Sequence, residues 1–522
     1  MEKRCRWRIL ILGLFFLLWG CFLTYRLYRI QGAENLAWAI QAVNQRSDSQ
    51  ALYRQRGEIL DCHGNRITGR DHRTYLAIFP VLLTTEERKE VASLLPPHAG
   101  RLEGKAPLII ANPSTELVRF ANAQKRTGVT FCTIPLRYGR QPIAHHLLGY
   151  LHPTTGQGLD GLEAVYESQL NSERMVRLTV MTDALRRPIP GLGWRYQEES
   201  GVPAGKNLVL TLDLVLQKKV EALLDQIPVA KGAVVIMEVG TGKIRALASR
   251  PVFDPYAPQQ SLNHPDRPLL NRALQYYPSG HLFNLLIVAA ALESGKVQPD
   301  AFFYDRQSGH GLITLTHAFA YGVPAVFQEV TAALEPASLW TLAETCGLGA
   351  GGRLGLPGEG TGLVPGKASK IETDLSTGEQ EVAVTPVQMA ALLQIVAGNG
   401  WYYPPVVVEG LQEPDGSWSA PPLVSLPNQP VLSEPTVRAL QKMLVATVLY
   451  GTGQLAQVRQ GAAGVGGAIQ AGLGGEEPRL YSWFAGYAPA HDPRLVGVVF
   501  LEDDPAGAEQ AAVLFASIME GA

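Results

Sequence analysis

The chain has 522 residues, 18% of them charged and 46% hydrophobic, with a formal net charge of −2. That length exceeds one ordinary domain, and the balanced charge offers no basic surface for nucleic acid. With 53 glycines and 36 prolines it is rich in turns, which argues against a helical bundle.

The N-terminus is the most specific feature of the bulk pattern. MEKRCRWR is basic, and Ile9 to Tyr25 carries no charge. As a helix this run spans about 25 Å, close to the hydrocarbon thickness of a bilayer. The bulky, basic TYRLYRIQG that follows has no small-x-small cleavage site, so an uncleaved anchor is expected rather than a removed signal peptide. Lys3, Arg4, Arg6 and Arg8 outnumber Arg26 and Arg29, which favours a cytoplasmic N-terminus, a single pass and an extracytoplasmic bulk. The five cysteines are widely spaced and include no CxxC pair, so isolated thiols are expected, with neither a disulfide framework nor a metal site.

Beyond the anchor, Gln31 to Tyr53 has the polar character of a helical stalk. RGEILDCHGNRITGR (56–70) predicts two strands about a turn at His63-Gly64-Asn65. In RYGRQPIAHHLLGYLHPTTGQGLDGLEAVYESQL (137–170), glycines punctuate a loop that leads into a helix near Leu162–Leu170. His145 and His146 are neighbours with no carboxylate at ligand spacing, so they are expected to be structural. GVPAGK (201–206) has the composition of a linker. NLVLTLDLVLQKKVEALLDQI then changes from strand to helix periodicity, and KGAVVIMEVGTGKIRALASRP predicts two strands and a turn. SWFAGYAPAHDPRLVGVVFLED predicts two more strands, with a closing helix from about Ala506 to Met519. Strands at both ends with helices between predict one mixed α/β domain from about Asn207.

These segments, in this order, resemble class B penicillin-binding proteins, the membrane-anchored peptidoglycan D,D-transpeptidases. RGEILDCHGN is similar to the family's RGxIxDRxG segment and GLDGLEAVYESQL to its GxxGLExxYdxxL segment. LTLDLVLQKKVE, GAVVIMEVGTGKIRALASRPVFDPY, VTPVQMA with AGNG, GTGQLA and WFAGYAP follow in family order. The resemblance implies an α/β (α+β) architecture with a central antiparallel sheet flanked by helices, of the penicillin-binding and β-lactamase-like type. It divides the chain into a tail and anchor (1–30), a pedestal or dimerisation-like domain (31–203) and a transpeptidase-like domain (204–522).

The chemistry of this superfamily rests on S-x-x-K, S-x-N and K-T-G. A serine needs a base to take its proton, and a lysine three residues later lies on the same helix face. Here the family's Y-x-P-G-S-T-F-K falls on Tyr277 to Asn284, which places His281 in the nucleophile column and Asn284 in the base column. The S-x-N columns hold Gly322, Val323 and Pro324. The K-T-G columns hold Val465, Gly466 and Gly467. No S-x-x-K occurs elsewhere in the chain. Ser279 has Leu282 at plus three, and His281 is the remaining candidate for a base or nucleophile.

The resemblance therefore implies a catalytically inactive, membrane-anchored homologue with a scaffolding or regulatory role in peptidoglycan synthesis. It implies no cofactor and no metal, and it argues against covalent capture of a β-lactam. The expected partners are the cytoplasmic membrane and cell-wall synthesis or division proteins, with a homodimer left open. The alternative is an active D,D-transpeptidase or carboxypeptidase that uses a non-standard nucleophile.

Overall fold

The computed structural model describes residues 2–33, 35, 47–104, 106–123, 128–183, 189, 194–199, 201–227, 231–305, 309, 311–349, 354–365, 382–419, 430–471, 479–503 and 506–521. Its contacts define two compact units with interleaved segments. One comprises 1–55, 72–135 and 173–203; the other comprises 56–71, 136–172 and 204–522. The expected end-to-end division at 203 thus becomes an exchange, in which 56–71 and 136–172 belong with the C-terminal unit.

In the first unit, Glu2–Tyr28 is a continuous helix. Among the described residues one segment, Leu10–Gly32, is long and apolar enough to cross a membrane. The stalk expected over Gln31–Tyr53 is corrected at its C-terminal end. Ser47–Arg54 is a strand, because its backbone pairs antiparallel with Met175–Met181. That partner lies more than a hundred residues away and leaves no trace in the local pattern of SDSQALYR. At its start the expectation holds, since Arg29–Ala33 is helical, and residues 34 and 36–46 lie outside the described residues.

The second unit gathers its two N-terminal segments through one buried carboxylate. Glu163 is fully buried, and its two oxygens accept from Arg56 Nε (2.7 Å) and Arg137 Nε (2.6 Å). Arg56 also reaches Glu167 (2.7 Å), and Arg137 Nη1 donates to the Gly57 carbonyl (2.7 Å). Ile59–Leu60 pairs in parallel with Leu208–Val209, which carries the 56–71 turn onto the C-terminal unit.

The rest of this unit is a three-layer sandwich. Its elements are α1 (Leu214–Leu224), β1 (Lys231–Glu238), β2 (Ile244–Arg250), α2 (Asn284–Glu293), α3 (Leu315–Tyr321) and α4 (Pro324–Ala332). They continue as α5 (Pro386–Ala397), α6 (Glu434–Leu449), β3 (Ala463–Ala471), β4 (Arg479–Ala488), β5 (Leu495–Glu502) and α7 (Ala508–Met519). The five-stranded antiparallel sheet has the order β2-β1-β5-β4-β3, so β3 is an edge strand. Strand periodicity assigns its two faces. Val235, Met237, Trp483, Val498 and Phe500 share a core with α2, α5 and α6. Their neighbours Val234, Ile236, Phe484, Val499 and Leu501 pack with α1 and α7. β1, β2, β4, β5 and the closing helix are the ones the periodicity predicts, whereas β3, AGVGGAIQA, has no apolar alternation to mark it. The helix expected near Leu162–Leu170 is present as two short pieces, Gly161–Val165 and Glu167–Leu170, broken at Tyr166.

His146 is structural. Its buried ring donates through Nε2 to the Pro268 carbonyl (2.7 Å), and burial pushes its pKa down to about 3. The native ring stays neutral while the unfolded chain takes up a proton below its ordinary value of 6.5. Stability is then fully present above pH 6.5 and falls as the pH drops toward 3. Unfolding free energies from urea titrations at pH 7 to pH 4 should fall by an amount on the order of a few kcal/mol. The fall should be shallower in His146→Gln. A separate test concerns the buried carboxylate. Glu163→Ala leaves two guanidiniums without it and should cost about 3–5 kcal/mol in the same assay.

Candidate functional site

The approach to α2 is built from restraints on backbone position. Tyr277-Pro278 pairs with Ala383-Val384, and the Tyr277 ring stacks on Phe500 at 4.0 Å. The Pro278 carbonyl accepts from the buried indole of Trp483 (3.0 Å) on β4. Gly280 has φ +54°, a left-handed conformation that favours glycine, and it starts a tight 3-10 turn over Gly280–Phe283. From there α2 runs inward, and every residue from Asn284 to Ala291 is buried.

The edge strand lies directly against this turn. A side-chain carbon at Gly467 would stand 3.3 Å from the Cβ of His281. One at Gly466 would stand 2.9 Å from the ring of Phe484 and 3.2 Å from the Trp483 carbonyl. On the third side, Gly322 ends α3 with φ +65°, and Pro324 occupies the first turn of α4. Gly451 and Thr452 bring the GTGQLA segment onto the end of α3, where Thr452 N donates to the Ala320 carbonyl (3.0 Å).

Where these elements meet lies an open cavity of about 310 Å³. His281, Asn284, Gly322, Val465, Gly466 and Gly467 all line it. The structure therefore brings together residues that the sequence places in three separate segments. Pro324 is not in the wall; it serves the helix junction. The rest of the lining is Phe319, Tyr321, Phe327, Thr452, Ala468, Phe484 and Ala508. Among the described residues, the lining contains no lysine, arginine, serine or cysteine.

Residues 232–520, more than half of the chain, match the family described as penicillin binding protein transpeptidase domain. The chain belongs to that family. It is 28% identical over 496 residues to stage V sporulation protein D of Bacillus subtilis, covering 87% of this chain and 75% of that protein. It is 26% identical over 410 residues to peptidoglycan D,D-transpeptidase FtsI of Escherichia coli K12, covering 74% of this chain and 66% of that protein. Among solved structures, penicillin binding protein 3 of Mycobacterium tuberculosis aligns with a TM-score of 0.62 at 22% identity, covering 90% of this chain and 95% of that one. A chain from a peptidoglycan synthase complex aligns with a TM-score of 0.68 at 24% identity, covering 98% of this chain and 97% of that one. These structures carry the fold assignment: a mixed α/β penicillin-binding-protein transpeptidase fold.

Within this transpeptidase-family fold, Ser279 stands apart from the cavity. It is fully buried, its hydroxyl lies 3.4 Å from the Val382 carbonyl, and it does not line the cavity. Asn284 is 2% exposed, and its Oδ1 accepts no hydrogen bond from the described residues. Sequence reasoning did not identify Tyr321, Thr452 and Phe484 as wall residues. Thr452 sits inside the quoted GTGQLA segment and Tyr321 directly precedes Gly322, so proximity in sequence was the available signal for both. Phe484 had none.

An unsatisfied buried amide oxygen is costly, and an apolar group of similar shape removes that cost. Asn284→Leu should therefore raise stability by about 1–2 kcal/mol in urea unfolding. A loss of stability would mean that the amide is held by polar contacts. Trp483→Phe should lower stability by about 1–3 kcal/mol, because the Pro278 carbonyl loses its buried donor.

Proposed function

We propose that this penicillin-binding-protein homologue does not catalyse peptide transfer and instead works as a scaffold or regulator of peptidoglycan synthesis. The observation that carries the reading is the cavity wall: His281 and Asn284 at the helix start, Gly322 at the helix junction, and Val465, Gly466 and Gly467 on the edge strand. Acyl transfer to an enzyme needs an activated nucleophile, a base and a donor set for the developing oxyanion. A stem-peptide carboxylate also calls for a cation, and Val465 supplies none. Among the described residues, Tyr321 and Thr452 are the hydroxyls in the wall, and no amine or carboxylate lies beside them there.

The fold itself supports a retained role. A fully buried α2, a sheet with both faces covered, and the buried Glu163 network are the marks of a maintained folding unit. In this reading the pedestal, about 31–203, and the membrane helix serve as binding surfaces. The N-terminus lies in the cytoplasm and the bulk on the outer face of the cytoplasmic membrane. The likeness of nearly the whole chain to one member of a peptidoglycan synthase complex supports a cell-wall polymerising or division protein as the partner.

The test is intact-mass spectrometry of the detergent-solubilised full chain after incubation with penicillin, alongside an active class B relative. The expected result is an adduct on the relative and none on this chain, with circular dichroism establishing that the chain is folded. A stoichiometric adduct here would overturn the proposal and favour a transpeptidase or carboxypeptidase with a non-standard nucleophile, located by peptide mapping.

A further inference from the structure

The turn at residues 61–65 is unusually well restrained for a surface loop. Asp61 is fully buried, and its Oδ1 accepts from the backbone N–H of His63 (2.9 Å) and Asn65 (2.7 Å), while Oδ2 accepts from Asn65 Nδ2 (3.0 Å). The Cys62 N–H donates to the Leu212 carbonyl (2.9 Å), so the turn is fixed beside the residue that precedes α1. That next residue, Asp213, is the helix cap. Its Oδ1 accepts from Val215 N (2.8 Å) and Leu216 N (3.1 Å), which leaves Oδ2 directed at His63 Nε2, 3.3 Å away.

The result is a thiol, an imidazole and a carboxylate whose ligand atoms all lie within 4.8 Å of one another. The geometry points to a divalent transition-metal site at Cys62, His63 and Asp213, suited to zinc, with a fourth position open to water.

The donor types fit that ion. Mixed sulfur, nitrogen and oxygen ligation suits zinc, whereas magnesium and calcium take oxygen alone. Bond lengths of about 2.0–2.3 Å in a tetrahedron put ligand atoms roughly 3.4–3.6 Å apart. His63 and Asp213 already stand at about that spacing, and a shift of about 1.2 Å at most brings in the thiol. The His63 side chain is 63% exposed, so its ring can adjust without disturbing a core. Asp61 and Glu409 add negative charge around the thiol. Arg245 opposes them, but its guanidinium is engaged by Glu238 (Nε to Oε2, 2.6 Å). On binding, the Cys62 thiol gives its proton to solvent as the sulfur–metal bond forms. The bound ion would then tie the 56–71 segment to the start of α1 by a second route, besides the strand pairing at Ile59–Leu60. The inference does not depend on whether the cavity is catalytic.

Cobalt(II) titration of the reduced, metal-stripped full chain in detergent tests it. The expected result is one equivalent bound, with a thiolate-to-metal charge-transfer band and the visible absorption of a tetrahedral ion, both displaced by zinc. Cys62→Ser should abolish the charge-transfer band. Asp213→Asn keeps a side chain that caps α1, and should weaken binding by at least about tenfold. The absence of a charge-transfer band, its persistence in Cys62→Ser, or unchanged affinity in Asp213→Asn would each overturn the assignment. In the last two outcomes the metal is bound elsewhere in the chain.

Discussion

The bond from the Trp483 indole to the Pro278 carbonyl fixes the geometry on which the rest of the site depends. A buried N–H must find an acceptor, and the acceptor it finds lies at the mouth of α2. It pins the chain two residues before Gly280, and the positive φ of that glycine then sets the direction of the turn. Because Trp483 belongs to β4 and β3 pairs with β4 along its length, one tether positions both the helix start and the edge strand. Gly467 pairs with Trp483 in that ladder, so the contact between His281 and the edge strand follows from the same register.

None of the interactions that hold this geometry uses a catalytic side chain. The sheet is covered on one face by α2, α5 and α6 and on the other by α1 and α7. The N-terminal segments are held by the Arg56–Glu163–Arg137 cluster, within the unit but away from the cavity wall. Removal of one partner of a buried ion pair is far more damaging than its net contribution to stability, so selection on folding alone keeps such a cluster intact. The site can therefore change its chemistry while the scaffold stays under full constraint. This separation of fold from chemistry is why a chain can match its family over more than half its length and still hold a histidine and an asparagine at the start of α2.

Legibility followed the same division. GAVVIMEV and LVGVVFLE alternate over two buried faces, and the long apolar run after Asn284 declares a buried helix, so the sandwich was readable from periodicity. Ser47–Arg54 was not, because SDSQALYR has no apolar alternation and its strand character comes from a distant partner. The interleaving of the two units was hidden for a related reason. A fully buried Glu163 cannot be told from a surface glutamate until Arg56 and Arg137 are seen to converge on it. At the site, the resemblance pointed to six residues that the fold gathers around one cavity, but not to the rest of its wall: Phe484 reaches it through the pairing of β4 with β3. The neighbouring Cys62 and His63 were visible in sequence, but Asp213, 150 residues further on, was not.

The edge strand also shows why the cavity wall is coupled as a unit. Gly466 has no side chain, and the ring of Phe484 stands where one would begin. Gly466 and Phe484 are paired residues of adjacent strands, so a hydroxyl-bearing residue at 466 requires a smaller one at 484. Phe484 in turn packs against Phe515 of α7, with ring centroids 4.8 Å apart, so shrinking it opens a void in the second core. On the other side of the strand, growth at Gly467 presses on His281. Residues in such contact do not contribute additively. A larger residue at 466 alone therefore overpacks the edge, a smaller one at 484 alone underpacks the second core, and the two positions can change without strain only together.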